Sequence, residues 1–485
     1  MSSFYKNSFS GILQFVFTSL LTFVSIPVFI NKLGIEVFGA FSMITLIGNL
    51  NTFANLGLNA TLIKFLSEQG KSKESGYDII VSFTMIMGLI LPLSLLAIAC
   101  EPLILKNGMG FSNVLFEKVN ILYICVIISN IFILVGQLFV AVLDSQQYIY
   151  LTNFFQGVYS FLYWGGSILA IIFGFGLTGI GIVTLGATFI WFLFITISMF
   201  KNWGAIAFEG VRKNFRRVMF KQLSHTSKIY SSSLISLLFE PLTKIMVSRM
   251  IGVAEVGYLE IAYKIRTQFW SLITKATYPL YPKIAAENNI FKLSKLIINF
   301  QILIAACLAP IITLFVFLLK DTLAIWIGST NPVVITATLW ISVTYLIGSV
   351  AIPVYYYLMS KQHADKTLWL QGINVLVNCV TILICYQKMG IFSAILGNSL
   401  AILSSLCLSI FLQIKYLNSV QINWKEVGTF LLLFVLGCLF ALMSQSFINI
   451  PALRILSGIL IIVGFYSTVG YAYAPQLMNV YRRLN

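Results

Sequence analysis

An all-α, polytopic membrane protein is predicted by three observations: 59% of the 485 residues are hydrophobic, only 9% are charged, and the apolar residues fall in successive runs. A soluble chain carries about 25% charged residues, so a water-soluble globule is excluded. Fourteen spans of about 20 residues consume about 280 positions, which leaves no segment for a separate extramembrane catalytic domain.

The runs lie at 11–30, 38–58, 79–100, 119–143, 150–173, 179–200, 229–251, 257–280, 296–319, 333–358, 368–387, 391–414, 428–447 and 453–473. Span 1 follows Lys6 and is followed by no small-residue cleavage pattern, so it is read as retained rather than as a signal peptide. Span 2 starts after Leu33-Gly34, a helix-ending pair. A polar, basic stretch precedes span 3, and the loop from Glu101 to Lys118 separates it from span 4. Spans 4 and 5 are divided by Ser145 to Gln147, and spans 5 and 6 by Gly174 and Gly176. The segment from Lys201 to Lys228 follows, with Ile206, Phe208, Val211, Phe215, Val218 and Met219 at helical spacing opposite Arg212, Lys213, Arg216, Arg217 and Lys221. That pattern predicts an amphipathic helix on the membrane surface. Pro27, Pro241 and Pro353 interrupt spans 1, 7 and 10 and predict kinks there.

The net charge of +16 comes from 31 Lys and Arg against 15 Asp and Glu. In a polytopic chain such an excess orients the spans rather than recruiting nucleic acid. With the N-terminus cytoplasmic, 20 of the 31 basic residues fall on that side and 6 on the other, so both termini are expected in the cytoplasm. The seven cysteines all lie in apolar runs and read as small core residues. His225 and His363 have no neighbouring ligands at metal-site spacing, so no metal and no cofactor are expected.

The chain carries an internal repeat. Leu33-Gly34-Ile35-Glu36-Val37-Phe38-Gly39 between spans 1 and 2 returns as Ile251-Gly252-Val253-Ala254-Glu255-Val256-Gly257 between spans 7 and 8, 218 positions later. Ser145, Gln147, Gln156 and Gly157 recur as Ser360, Gln362, Gln371 and Gly372, and Leu185-Gly186 as Leu396-Gly397, at offsets of 215 and 211. A shift of six spans keeps the copies in one orientation, so the repeats are parallel, an architecture of transporters with the site at the repeat interface. The organisation expected is a first lobe at 1–200, an amphipathic linker at 201–228, a second lobe at 229–414 and a terminal helix pair at 415–485.

A charge at bilayer depth costs about 3 kcal/mol on insertion scales, which makes each one a functional candidate. Spans 1 to 6 hold essentially none, whereas spans 7 and 8 hold Lys244, Arg249, Lys264, Arg266 and Lys275 with the acids Glu240 and Glu260. Facing pairs Glu260 with Arg249 and Glu240 with Arg266 are open to this arrangement, as are Glu240 with Lys244 and Glu260 with Lys264 at i, i+4. Either way positive charge is in surplus, which points to an anion-binding cavity. Polar faces form the second pattern: Asn51, Asn55 and Asn59 in span 2, Gln156, Tyr159 and Tyr163 in span 5, and Gln371, Asn374 and Asn378 in span 11. Amides and phenols donate and accept hydrogen bonds, so these faces suit a hydroxyl-rich ligand, with interhelical bonding as the alternative use.

Ile26-Pro27, Leu33-Gly34, Phe38-Gly39, Leu56-Gly57-Leu58, Gly252, Gly257-Tyr258, and Pro353 ahead of Lys361 stand in the order and spacing of one family. The chain resembles the Wzx-like polysaccharide flippases of the multidrug/oligosaccharidyl-lipid/polysaccharide transporter superfamily over nearly its whole length. The resemblance implies a MATE-like fold and a transporter, not an enzyme, that moves undecaprenyl-diphosphate-linked oligosaccharide, such as an O-antigen unit for lipopolysaccharide, across the membrane by alternating access. Lys244, Arg249, Lys264, Arg266 and Lys275 would then hold the anionic headgroup, and the amide and phenol faces the glycan. It further implies an H+ or Na+ gradient as driving force, though no residue set designates the ion, and a polysaccharide polymerase and chain-length regulator beside membrane lipids as partners. A multidrug exporter of this fold is disfavoured because span 1 lacks the intramembrane carboxylate such exporters use, whereas a lipid II flippase, also of fourteen spans, stays open although spans 1 and 2 lack that family's cationic residues. A membrane polymerase or ligase would present a large outer loop bearing acid or base residues, and none is present.

Overall fold

The computed structural model describes residues 2–54, 58–204, 206, 210–278, 280–287, 289–328, 331–360, 363–417, 456–460 and 464. These are α1 (Ser2–Leu33), α2 (Ile35–Ala54), α3 (Leu58–Gln69), α4 (Lys73–Ala99), α5 (Asn113–Ser145), α6 (Ile149–Ile172), α7 (Gly176–Trp203), α8 (Val211–Met250), α9 (Val253–Thr277), α10 (Leu280–Ala286), α11 (Ile290–Ile327), α12 (Pro332–Gly348), α13 (Ile352–Ser360), α14 (Ala364–Met389) and α15 (Phe392–Leu417). A single turn of π-helix, Leu103–Gly108, follows α4, and a 3-10 turn, Ser349–Ala351, divides α12 from α13. The described residues contain no strand, and nine of their helices are long and apolar enough to cross a membrane. The chain is an all-α, multi-pass membrane protein. Expected spans 13 and 14 fall almost entirely outside the described residues.

Helix ends follow local chemistry. Ser72 and Ser112 accept from the backbone N–H of Ser75 and Leu115 at the starts of α4 and α5, and Asn289 and Asn331 do the same for α11 and α12, satisfying donors that have no partner within the helix. Pro332 follows Asn331 at the first helical position, where its missing N–H costs nothing. Pro27, Pro241, Pro92 and Pro310 lie inside continuous helices, whereas Pro353 is the second residue of α13, just after the 3-10 turn, so of spans 1, 7 and 10 it is span 10 that is interrupted.

The chain divides into two compact units, Met1–Gly257 and Tyr258–Asn485. In the first, Leu58, Leu62 and Leu66 of α3, Ile79, Ile86 and Ile90 of α4, Leu134, Leu138 and Val142 of α5, and Trp191, Ile195 and Met199 of α7 bury one common core. The spacing of four and seven places each set on one helix face. In the second unit, Ile284, Leu293, Ile297, Val354, Leu358 and Leu412 form the core around α10, α11, α13 and α15.

Residues 211–228 of the expected linker form the first half of α8, with Val218 and Gln222 buried. Gln222 bonds to Asp78 and Ser82 of α4, and Arg217 pairs with Glu74, so α4 packs against this half of α8. Of the amide series expected in span 2, Asn51 is on α2 and Asn59 is on α3. Asn55 lies outside the described residues.

Candidate functional site

The charged residues of α8 and α9 take the i, i+4 arrangement. On α8 the Lys244 Nζ lies 2.8 Å from Glu240 Oε1, and on α9 the Lys264 Nζ lies 3.1 Å from Glu260 Oε1. Glu precedes Lys in both, the favourable order relative to the helix dipole. Their burial is opposite. On α8 the lysine side chain is 2% exposed and the glutamate 31%, whereas on α9 the lysine is 37% exposed and the glutamate 6%. Burying an ion is tolerated when its partner is in contact and the geometry is good. Each pair thus neutralises one deep charge and leaves the other partner's surface reachable: an acid on α8, a base on α9.

Arg266 lies half-buried one half-turn beyond Lys264. Its guanidinium sits 4.8 Å from the centroid of the Tyr263 ring and 4.6 Å from that of Tyr345, and Nη1 donates to the Tyr345 hydroxyl at 3.1 Å. Two ring faces, each negative at the centre, hold the cation in place. Tyr263 is itself fixed by Asn398, whose Nδ2 donates to the Tyr263 hydroxyl at 3.0 Å. Sequence reading missed both tyrosines and Asn398. The packing of Tyr345 and Asn398 joins positions 79 and 135 residues apart, which no local pattern signals.

The other two candidate cations are peripheral. Arg249 is exposed in the last turn of α8, and its backbone packs on Gly110. Lys275 is exposed in the last turn of α9, where it complements the helix dipole.

On α6, Gln156, Tyr159 and Tyr163 are half-buried along one face. The Tyr159 and Tyr163 rings stack 6.0 Å apart with a 13° angle, Trp164 meets Tyr163 edge-on at 4.9 Å, and Trp191 leans on Tyr159 at 6.1 Å. A seam of small polar side chains adjoins them: Thr18 of α1 donates to the Ser160 hydroxyl at 3.0 Å and accepts from Gln14 at 3.2 Å. The repeat-equivalent face on α14 differs in use. Gln371 and Asn374 are half-buried, but Asn378 is fully buried between α14 and α15, its Oδ1 accepting from Asn398 at 3.5 Å. A Cβ on Gly397 would come within 2.7 Å of that Asn378 oxygen, so the glycine makes room for the amide. Asn378 is therefore a helix-bonding residue. Among the described residues no group of three or more His, Cys, Asp or Glu is arranged to hold a metal.

Comparison with solved structures shows the same architecture. A lipid II flippase MurJ in an inward closed conformation aligns with a TM-score of 0.74 at 16% identity, over 96% of this chain and 99% of that one. A multidrug resistance MATE family transporter of the MOP superfamily, inward-facing, aligns with a TM-score of 0.67 at 16% identity, over 85% of this chain and 99% of the other. A mutant of the Vibrio cholerae MATE transporter VcmN aligns with a TM-score of 0.58 at 14% identity, over 86% and 99%. A search of curated proteins returns no match. At these identities the structures share the fold alone, but residues 4–286 also match the sequence pattern headed polysaccharide biosynthesis protein. With more than half its length so matched, and with the MurJ and MATE architecture around it, the chain belongs to the polysaccharide biosynthesis protein family.

Proposed function

We propose that the protein is a flippase that carries an undecaprenyl-diphosphate-linked oligosaccharide across the bacterial inner membrane by alternating access, with both termini cytoplasmic. The observation that carries this reading is the reachable base on α9: Lys264, 37% exposed beside a buried Glu260, with Arg266 gripped between Tyr263 and Tyr345. A lysine that keeps a third of its surface free at membrane depth, and an arginine oriented by two rings, suit a diphosphate or an acidic sugar. Lys244, at 2% exposure and bound to Glu240, is a weaker headgroup contact, and Arg249 and Lys275 meet the headgroup only at the ends of their helices. The Tyr159 and Tyr163 faces with Gln156, together with Gln371, Asn374, Asn51, Asn55 and Asn59, would serve the glycan through ring faces and amides. In this reading the cargo moves on an H+ or Na+ gradient and is passed to a polysaccharide polymerase and its chain-length regulator.

The test is flipping in proteoliposomes. A diphospholipid-linked oligosaccharide is compared with lipid II and with an organic cation, for the wild type and for Lys264→Ala, Arg266→Ala and Lys244→Ala. Loss of oligosaccharide flipping in the two α9 variants with normal insertion is the expected result. Equal transport in all three variants would remove the headgroup assignment, and preference for lipid II or the cation would replace the cargo.

A further inference from the structure

The duplicated turns of this chain meet each other. Gly39, buried on α2, faces the start of α9: a Cβ there would collide with the carbonyl oxygen of Val253 and lie 2.9 Å from the Gly257 nitrogen. Gly257, buried on α9, faces the start of α2: a Cβ there would lie 2.5 Å from the carbonyl oxygen of Ile35 and 3.0 Å from its Cγ1 and Cδ1. Gly39 and Gly257 are 218 positions apart, and so are Ile35 and Val253. Exchanging the repeats therefore turns the Gly39 to Val253 contact into the Gly257 to Ile35 contact. The duplicated element interlocks with its own copy in the manner of a two-fold, isologous interface, all four residues lying in the first unit.

Both collisions are with backbone oxygens, which no side-chain rotation removes, so each position requires a residue without a Cβ while the turns are seated. A second contact joins the same end of α8 to the chain after the π-helix. The Ser248 hydroxyl donates to the Met109 carbonyl, and Gly110, at φ +76°, lies where a Cβ would touch Arg249 Cα at 3.4 Å.

We propose that this reciprocal glycine crossing is the releasable seal of one membrane face: it parts to open that face and re-seats to close it, and Gly39 and Gly257 are its two halves. With the topology proposed above the face is the outer one, but the seal does not depend on which cargo passes. One added methyl group wedges the crossing apart at either half. Because the halves are one contact, a second methyl adds little once the first has opened it.

The experiment is labelling of a buried reporter, Ala40→Cys, in a chain otherwise free of cysteine, with a membrane-impermeant maleimide in vesicles. Gly39→Ala and Gly257→Ala are each expected to speed labelling by about tenfold, and the double variant to differ from either single by less than about twofold. Gly88→Ala, where a Cβ meets nothing within 4 Å, is expected to leave labelling unchanged. Unaltered labelling in either inserted single variant overturns the proposal, as does an additive double variant. Should the alanines prevent insertion, hydrogen exchange of the wild type decides: residues 35–40 and 253–257 are expected to open at one common rate, and rates differing by more than about tenfold overturn the seal. No cargo is needed for either readout, so failure here is separate from failure of the flipping assay.

Discussion

The Gln222 side-chain amide donates to both the carboxylate and the backbone carbonyl of Asp78, at 3.0 Å each. Asp78 is fully buried and also accepts from Gln69 at 3.1 Å and from Lys221 at 3.4 Å, while Ser82 donates to the Gln222 oxygen at 3.0 Å. The first half of α8 is thereby fastened to α4 by a satisfied polar network, and a network of this kind is costly to break because each orphaned donor stays buried.

Asp78→Ala is accordingly expected to destabilise the detergent-solubilised protein by about 2–3 kcal/mol, with Gln222→Ala nearly as harmful and the double variant well short of the sum. Chemical unfolding followed by tryptophan fluorescence checks this. By contrast Arg217→Ala removes an exposed ion pair with Glu74 and is expected to shift stability by less than about 0.5 kcal/mol.

The opposite burial of the two Glu–Lys pairs makes opposite variants harmful. On α8, Glu240→Gln removes the carboxylate 2.8 Å from the buried Lys244 and is expected to cost about 3 kcal/mol, whereas on α9 it is Lys264→Gln that removes the ammonium 3.1 Å from the buried Glu260. The cost on α9 is smaller, about 1–2 kcal/mol, since the exposed lysine is screened by solvent. Replacing both members of either pair by Gln and Met is expected to recover most of the loss, and equal costs for all four single variants would contradict the assignment.

Tyr345→Phe separates orientation from charge at Arg266. It keeps the ring 4.6 Å from the guanidinium and removes the hydroxyl that accepts from Nη1. Headgroup affinity is expected to fall by about three- to tenfold, corresponding to the roughly 1 kcal/mol of one hydrogen bond. Tyr345→Ala is expected to lose more, and titration with undecaprenyl diphosphate measures both.

Glu101 follows α4 outside the spans, and burial holds its carboxyl above the ordinary value of 4.5. Its Oε1 has no hydrogen-bond partner among the described residues. The folded protein then binds the proton more tightly than the unfolded chain, so the stabilisation is present in acid and is lost as pH rises through the raised value. Glu101→Gln is expected to raise the midpoint of thermal unfolding at pH 7 and to leave it unchanged near pH 4; an equal effect at both would show that the carboxyl titrates normally.

Gly136 packs on the indole of Trp191, where a Cβ would lie 2.8 Å from Cη2. Gly136→Ala is expected to cost about 1–3 kcal/mol through displacement of that buried ring, read as a shift in tryptophan emission together with the unfolding midpoint.

The amphipathic pattern of residues 211–228 shows where reading a sequence meets its limit. Its period is real, and α8 contains it, but a stripe of Val218 with neighbouring cations looks the same whether lipid or α4 covers it. Asn378 and Tyr163 make the same point. They are repeat-equivalent and both polar, yet one is sealed between α14 and α15 against Gly397 while the other stacks on Tyr159. Spans 3 to 6 and 9 to 12 were legible because about 20 consecutive apolar residues are a local property.

The sequence by itself determined that this is a polytopic all-α membrane protein with a duplicated turn, and that charge gathers in two neighbouring helices. These follow from run length, spacing and composition, which neighbours in the chain carry. Only the tertiary structure decided that Lys244 is buried and Lys264 reachable, although Glu-x-x-x-Lys is written identically at both. It alone decided too that the two copies of the turn interlock through Gly39 and Gly257. Burial and contact are set by whichever helix lies opposite, and that partner is chosen by packing across hundreds of residues.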